Sequence, residues 1–565
     1  MAMVGHNTKR VGAEVLAEML AGYGVTHVFH VPAVLRTTYA EMERRDTGIK
    51  RLHVHGEKAA AYMADGYARA SGKPGICMAQ VIGALNLAAG LRDAYLAHSP
   101  VIAMTGGRDP KTKFRKVYQE IDDMPAFEPV TKFNATVDDV SRFPDMVRQA
   151  FRVATSGAPG PAHLQFRGNE GQIDLEEAEM DGLVETQFAH VPPFRPQPEA
   201  AHVSAALGLL QKAERPIFVA GGGVRASGAA KELVALAEAL QIPVATSLNG
   251  KDTIPGVHPL SVGVVGSYSR ESANRAINRA DLVCFIGTET GGMTTHFWAV
   301  PMIGTPAIQI DIEAESLGRN YPLQASVLGD AKAILAAMFR QADTASAKKR
   351  EAWVKEITAL RKDWYVKYTA TLNSDQTPIH PARICGELSK HVPDNGIVVV
   401  DTGHAGMWMG GMYDLRTPIQ SYMRSAGHLG WAFPAALGAK AACPERPVIC
   451  FTGDAGFWYH IGEVETAVRW KLNSITVVNN NGGGNQSKRG FDRAYGGEQT
   501  QKARELWTYN AMNFARLAED MGALGIRVER AGDVAPALQR ALAADRPVVI
   551  DVATDIGELA PVAVT

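Results

Sequence analysis

The sequence contains no apolar run approaching the roughly 18 residues needed to span a bilayer, which excludes an integral helical membrane protein. It has almost no net charge. Its 58 Lys+Arg against 59 Asp+Glu give −1, so there is no broad basic field for nucleic acid or anionic lipid, and neither is expected as a partner. Cysteine is scarce. The five residues Cys77, Cys284, Cys385, Cys443 and Cys450 are odd in number and form no CxxC pair. Four of them lie in apolar or Ala-rich surroundings, the pattern of reduced core thiols in a cytoplasmic protein. The opening Met1–Arg10 is polar and lacks the apolar core of a signal peptide. No low-complexity tract or solenoid-period repeat is visible. What remains is an ordinary globular composition, 46% hydrophobic and 21% charged over 565 residues, long enough for three or four domains. Glycine, at 55 residues, is the one surplus, and it demands tight turns or close backbone approach.

Short β-branched runs alternate with Ala-rich amphipathic stretches. Strands are expected at Val25–Val31, Arg51–His55, Gly75–Gln80, Pro100–Thr105 and Ala162–Phe166, with helical patterns at Lys58–Ser71, Asn86–His98 and Val140–Thr155. Such alternation predicts parallel sheets with helices on both faces. Four prolines in Phe188–Pro198 read as a linker. A second block places strands at Pro216–Ala220, Pro243–Ser247, Leu282–Gly287 and Ala307–Ile312. It ends in the basic helical stretch Ala345–Tyr368 and the polar segment Asn373–Pro381. The basic residues of that helix with Trp353, Trp364 and Tyr365 suggest a nucleic-acid stripe, but interleaved Glu351, Glu356 and Asp363 make it a solvated amphipathic connector. A third block has strands at Ile397–Asp401, Val448–Thr452, Ile475–Asn479 and Val548–Val552. The expected fold class is therefore α/β: three doubly wound parallel-sheet domains, at residues 8–187, 198–342 and 376–565.

The most informative stretch runs from Val448 to Gln486. One strand ends in Gly453-Asp454-Ala455-Gly456 and the next in Asn479-Asn480-Asn481-Gly482-Gly483-Gly484. Asp454 and Asn481 are 27 positions apart, one βαβ crossover, which returns both to the carboxyl ends of adjacent parallel strands. A carboxylate, an amide oxygen and an exposed carbonyl are hard ligands, and with phosphate oxygens they suit Mg²⁺. The glycines let the backbone approach a diphosphate. A helix-capping Asp and an Asn-Gly turn would account for either half alone, and both halves together at this spacing are much more specific.

This segment, GDAGFWYHIGEVETAVRWKLNSITVVNNN, resembles the motif of the thiamine diphosphate-dependent enzymes, acetolactate synthase-like group. Benzaldehyde lyase, 2-hydroxyacyl-CoA lyase and oxalyl-CoA decarboxylase are similar, and the likeness extends over the whole chain as pyrimidine-binding, central and diphosphate-binding domains. It implies that Asp454, the Asn481 side chain and the Gly483 carbonyl ligate Mg²⁺, with Gly453, Ala455, Gly456 and Gly484 beside the cofactor. A second match, RLHVHGEKAAAYMADGYARAS, places Glu57 where the family's glutamate hydrogen-bonds the aminopyrimidine ring. Protonating that ring favours an imino tautomer, which removes the C2 proton; the resulting ylide attacks a carbonyl and passes through an enamine. In SAGHLGWAFPAALGAK, Leu429 stands where an apolar residue props the cofactor, next to His428. In DTGHAGMW, the residues Gly403, His404 and Ala405 stand where the family contacts diphosphate. In Tyr118-Gln119-Glu120, Gln119 matches a substrate-side glutamine able to hydrogen-bond a carbonyl oxygen.

Departures bear on the substrate. The family's Ser-Gly-Pro-Gly-x-x-Asn loop reads Gln80-Val81-Ile82-Gly83-Ala84-Leu85-Asn86, which keeps only Gly83 and Asn86 as cofactor-side positions. His30 replaces a usual Gly at a strand end and is a candidate proton donor or substrate anchor. His404, His460 and His55 raise the same question. In the central domain, Gly221-Gly222-Gly223, Asn249-Gly250-Lys251 and Asp311-Ile312-Glu313 resemble FAD- or ADP-binding positions. The accompanying Gly-x-Arg, however, reads Gly287-Thr288-Glu289, which leaves a diphosphate less compensated and argues against FAD or ADP.

The resemblance implies a lyase, carboligase or decarboxylase acting on a small carbonyl substrate: 2-oxo acids, 2-hydroxy ketones or acyloins. The alternatives are a hydrolase of an activated diketone, a 2-hydroxyacyl-CoA lyase, or a non-catalytic cofactor-binding homologue. The short segment after the last strand leaves little room for a CoA-covering tail. The resemblance also implies at least a dimer, and a homotetramer, with active sites at a subunit interface.

Overall fold

The computed structural model describes residues 8–562; most of the polar opening stretch lies outside them. The chain forms two compact units. One comprises the described residues up to Pro193 together with Ala426–Arg446 and His460–Ser474; the other comprises Phe194–Ser425, Pro447–Tyr459 and the residues from Ile475 onward.

The first unit is built on a six-stranded parallel sheet. Its spatial order is Lys50–His53, His27–His30, Gly75–Ala79, Val101–Gly107, Ala162–Arg167 and Phe133–Val137. The inner strands Gly75–Ala79 and Val101–Gly107 are buried along their whole length, as expected when both faces are covered. On one face, helices Gly12–Gly22 and Phe143–Thr155 bury Val15, Leu16, Val147 and Phe151 with Val28, Ile76, Ile102 and Leu164.

Helix Glu57–Ser71 belongs to the same unit and is alanine-rich, which lets a second backbone come close. Helix Ala432–Ala442 does so: a Cβ on Gly66 would lie 2.0 Å from the Ala435 carbonyl oxygen, and one on Gly438 1.9 Å from that of Met63. Beside this crossing, Trp431 Nε1 donates to Asp65 (2.8 Å), and Arg69 joins both Asp65 (2.6 Å) and Asp93 (3.0 Å). Asp93 also accepts from the amides of Ala426 (2.9 Å) and His428 (3.2 Å), fixing the turn that carries Leu429. Buried charges are tolerated here because each is multiply hydrogen-bonded.

The second unit holds two further six-stranded parallel sheets. One runs Ser261–Val264, Val244–Thr246, Pro216–Ala220, Leu282–Ile286, Ala307–Asp311, Ala325–Leu328. The other runs Ser421–Arg424, Ile397–Val400, Val448–Gly453, Ile475–Asn480, Val548–Ala553, Leu524–Val528. The expected basic connector is a 3-10 turn, Thr344–Arg350, followed by helix Glu351–Leu372. Its apolar stripe is buried: Trp353, Ile357 and Leu360 join the core beneath Val219 and Phe285, and Trp364 joins the core of the last sheet. The fold is thus α/β with three parallel sheets, as the sequence implies.

In each sheet the first interior strand has its successor on one side and a later strand on the other. Such a topological switch point opens a crevice beyond the carboxyl ends of the strands, where ligands bind in open α/β sheets. The switch lies between His27–His30 and Gly75–Ala79 in the first sheet, and between Ile397–Val400 and Val448–Gly453 in the last. His30 and Gln80 stand at one; Asp401 to His404 and Asp454 stand at the other.

Candidate functional site

In the first unit, Glu57 is the first residue of its helix, following the extended Gly56. Its Oε2 accepts from Asn86 Nδ2 at 3.2 Å. Its other oxygen faces Gly83, where a Cβ would lie 2.3 Å from Oε1. Gly83 has φ −90° and ψ −5°, so glycine is required there by the carboxylate and not by the backbone. Three expected residues, Glu57, Gly83 and Asn86, therefore meet. The turn Val81–Gly83 is closed by the Gly83 amide donating to the Gln80 carbonyl (3.0 Å).

Gln119, a non-glycine residue at φ +64°, accepts from Gln80 Nε2 at 3.2 Å. Asn169 ties the two loops together: its carbonyl accepts from the Val81 amide (3.0 Å) and its side chain donates to the Tyr118 carbonyl (2.6 Å). Gly106 makes room for it, since a Cβ there would meet the Asn169 oxygen at 2.0 Å. Gln80 was visible in the sequence only as a departure, and Asn169 gave no signal because its partners are distant in the chain.

His30 is buried at its strand end, against the rings of Tyr39 (4.6 Å) and His53 (6.2 Å). Its Nδ1 has no hydrogen-bond partner, and burial, aided by His53, pushes its pKa down to about 4. No hydrogen bond joins it to Glu57 or Gln119 among the described residues. Tyr62 presents its ring edge-on to His428 and His460, both at 5.5 Å. His460 Nδ1 pairs with the Gly430 carbonyl at 2.9 Å, which accounts for this histidine structurally. His55 is likewise held by Glu465 (2.8 Å). Leu429 is half-buried in the turn held by Asp93.

In the second unit, Asp454 and the Asn481–Gly484 loop lie at the ends of neighbouring strands, paired in register at Gly453 and Asn479. One Asp454 oxygen accepts from the amides of Gly482 (2.7 Å) and Gly483 (3.1 Å), the other from Ala455 (2.7 Å). Asn481 Oδ1 accepts from Gly483 (3.0 Å), so the two expected side-chain ligands converge on one backbone loop. Asp454 is only 3% exposed, and burial raises its pKa to about 6 despite the three amides. A buried carboxylate in that condition calls for a cation.

No group of three or more His, Cys, Asp or Glu side chains able to hold a metal occurs among the described residues. The donor set here is instead one carboxylate, one amide and a carbonyl, which fits Mg²⁺ completed by phosphate oxygens.

Across the same crevice Gly403 (φ +65°) precedes helix His404–Met412. Buried His404 has no partner on either ring nitrogen, and burial with nearby Arg489 lowers its pKa to about 4. Ala405 is buried behind it. Gly456 allows close packing, since a Cβ there would lie 2.7 Å from both Asp401 Oδ2 and Thr452 Oγ1. Gly484 starts helix Asn485–Ala494, its amide donating to the Trp507 carbonyl (2.7 Å). Bare glycine backbone and the one free N–H of a neutral imidazole suit an anionic diphosphate.

The positions that resemble FAD- or ADP-binding ones lie at strand ends of the central sheet. A Cβ on Gly221 would lie 2.1 Å from the Gly287 carbonyl oxygen, so these glycines serve packing between strand ends. Lys251 is buried, donates to the Gly410 carbonyl (3.0 Å), and is lowered to about 7 by burial and by Arg270.

Two switch-point sites, one built on a carboxylate and amides and one on an Asp–Asn–glycine loop, define a doubly wound α/β enzyme binding a diphosphate cofactor. Comparison with known proteins agrees. Models of the thiamine pyrophosphate enzyme N-terminal, central and C-terminal domains match residues 10–126, 203–338 and 401–552. The probable acetolactate synthase large subunit of Methanocaldococcus jannaschii is 31% identical over 563 residues, covering 97% of this chain and 93% of that protein. The acetolactate synthase large subunit of Corynebacterium glutamicum is 30% identical, covering 96% and 86%. The isozyme 3 large subunit of Escherichia coli is 27% identical, covering 97% and 95%. The chain belongs to the thiamine pyrophosphate-dependent enzymes, related to acetolactate synthase.

Proposed function

We propose that the chain is a cytoplasmic thiamine diphosphate- and Mg²⁺-dependent enzyme that makes or breaks a C–C bond next to a carbonyl. It acts as a lyase, carboligase or decarboxylase on 2-oxo acids, 2-hydroxy ketones or acyloins. The observation that carries this reading is the Glu57 carboxylate, held between Asn86 and the bare Cα of Gly83. When bound, the cofactor supplies a nucleophilic carbon and an electron sink.

The chain's own residues do the rest. Glu57 holds a proton against an aminopyrimidine nitrogen. Asp454, Asn481 and the Gly483 carbonyl hold Mg²⁺. Gly403, His404, Ala405 and the glycines of both strand-end loops receive the diphosphate, and Leu429, with His428, supports the cofactor's shape. Gln119 donates a hydrogen bond to the substrate carbonyl, and buried His30, held neutral, anchors the substrate through its free Nδ1. The relatives' name, acetolactate synthase, supports C–C bond chemistry on a small carbonyl compound.

We assign residues 8–187 to a pyrimidine-binding domain, 198–342 to a central domain and 376–565 to a diphosphate-binding domain. Glu57 of one subunit and Asp454 of its neighbour complete each site in a homotetramer. A second reading, hydrolysis of an activated diketone, is favoured by the unpartnered His30 Nδ1. The holoenzyme should be screened with 2-oxo acids, benzoin-type ketones, diketones and 2-hydroxyacyl-CoAs, with products identified by mass spectrometry. A coupled or cleaved ketone is expected. Absence of C2 proton exchange in bound thiamine diphosphate would overturn the reading.

A further inference from the structure

The loop that departs most from the family pattern is also the one that touches the substrate-side glutamine. Gln80 sits at the switch point of the first sheet, immediately before the turn whose Gly83 abuts Glu57. Its Nε2 donates to Gln119 Oε1 at 3.2 Å. In this arrangement each amide keeps one polar group free. With its oxygen engaged, Gln119 has its N–H₂ left to donate; with its N–H₂ engaged, Gln80 has its carbonyl oxygen left to accept. The Asn169 clamp on Val81 and Tyr118 keeps the two loops in register.

The geometry points to Gln80 and Gln119 as a paired acceptor and donor that selects a 2-hydroxy ketone over a 2-oxo acid. This rests on the substrate-side role given to Gln119 above. The carbonyl oxygen of a 2-hydroxy ketone accepts from Gln119, and the neighbouring hydroxyl donates to Gln80 Oε1. A 2-oxo acid presents a carboxylate at the second position, and two acceptors would then face each other, an unfavourable contact. Ile82 (53% exposed) and Leu85 (44% exposed), on the same turn and helix start, offer apolar surface for the substituents. In cleavage the carbinol carbon becomes an aldehyde carbonyl as its hydroxyl proton is released. The electron pair of the broken C–C bond stays with the acyl half, which takes up a proton, so acetoin yields two molecules of acetaldehyde.

The test uses the holoenzyme with acetoin and pyruvate as probes, following acetaldehyde and CO₂ respectively, and compares Gln80→Met and Gln119→Ala. Methionine keeps the length of the side chain but neither donates nor accepts strongly. Acetoin should be the better substrate, and Gln80→Met should lower its kcat/KM by about tenfold, the effect of one lost hydrogen bond, with a smaller change for pyruvate. In the Gln119→Ala background the further effect of Gln80→Met should largely vanish. Amide exchange over residues 111–120, read by mass spectrometry, should rise in Gln80→Met. Pyruvate turned over as well as acetoin, equal losses on both probes, or turnover of neither with C2 exchange intact would overturn the assignment. Full activity in Gln119→Ala would instead sink the role of Gln119 itself.

Discussion

Gly83→Ala is the sharpest test of how Glu57 is held. The added Cβ would lie 2.3 Å from Glu57 Oε1 and 2.6 Å from both Cδ and Cγ. An ordinary carbon–oxygen contact is about 3.4 Å, so the carboxylate must retreat by about 1 Å. Nothing in the backbone resists alanine, because Gly83 already has φ −90°. Restricting the unfolded chain even favours alanine by about 0.4–1 kcal/mol. The clashing atoms form the end of a flexible side chain, so the fold can yield at little cost, within about 1–2 kcal/mol.

Catalysis cannot yield in the same way. A displacement of about 1 Å at a proton-transfer group costs about 100-fold in rate. Exchange of the C2 proton of bound thiamine diphosphate, quenched in acid and read by ¹H NMR, reports this step without any substrate. The expected outcome is a near-normal unfolding midpoint with exchange slowed about 100-fold, approaching that of Glu57→Gln. Wild-type exchange in a folded Gly83→Ala protein would refute the contact and the positioning argument built on it.

Asp454→Ala removes the acceptor for the Gly482 and Gly483 amides and the one carboxylate of the proposed cation site; calorimetry should show Mg²⁺-dependent cofactor binding abolished. Gly438→Ala puts a Cβ 1.9 Å from a backbone oxygen, which no side-chain motion relieves; it should destabilise by more than about 3 kcal/mol in denaturant titration. His163, buried between Thr105 and Asn134 and depressed to about 3 by burial, refuses a proton that the unfolded chain takes at about 6.5. Its contribution is intact above that pH and lost as pH falls toward 3, reaching about 2 kcal/mol at pH 5. The unfolding midpoint should therefore fall between pH 7 and pH 5, and less so in His163→Gln; a flat profile would contradict this.

The interior strands were legible because strands covered on both faces carry unbroken apolar runs, such as Gly75–Ala79 and Leu282–Ile286. Five edge strands were not: Phe133–Val137, Ser261–Val264, Ala325–Leu328, Ser421–Arg424 and Leu524–Val528. Their sequences, FNATV or ASVL for example, mix polar with apolar residues because one side of each has no neighbour in the sheet. The site divides similarly. Asp454 and Asn481 stand out as candidates through strand-end position and spacing, and Glu57 through the family resemblance of its segment. The Gln80–Gln119 bond and the Asn169 clamp join loops far apart in sequence, and no local pattern encodes such a meeting.

The crossing of Glu57–Ser71 by Ala432–Ala442 also has a consequence for how the protein is made. The first unit is not a contiguous stretch of chain, because it includes Ala426–Arg446 and His460–Ser474. On a ribosome adding about 5–20 residues per second, the segment ending at Pro193 waits more than ten seconds for the helix that abuts Gly66. During that interval its alanine-rich helix face has no lid, and a gene cut or fused at the end of the first sheet would leave it so permanently. Chimeras of this enzyme must carry the two late segments along with the early one.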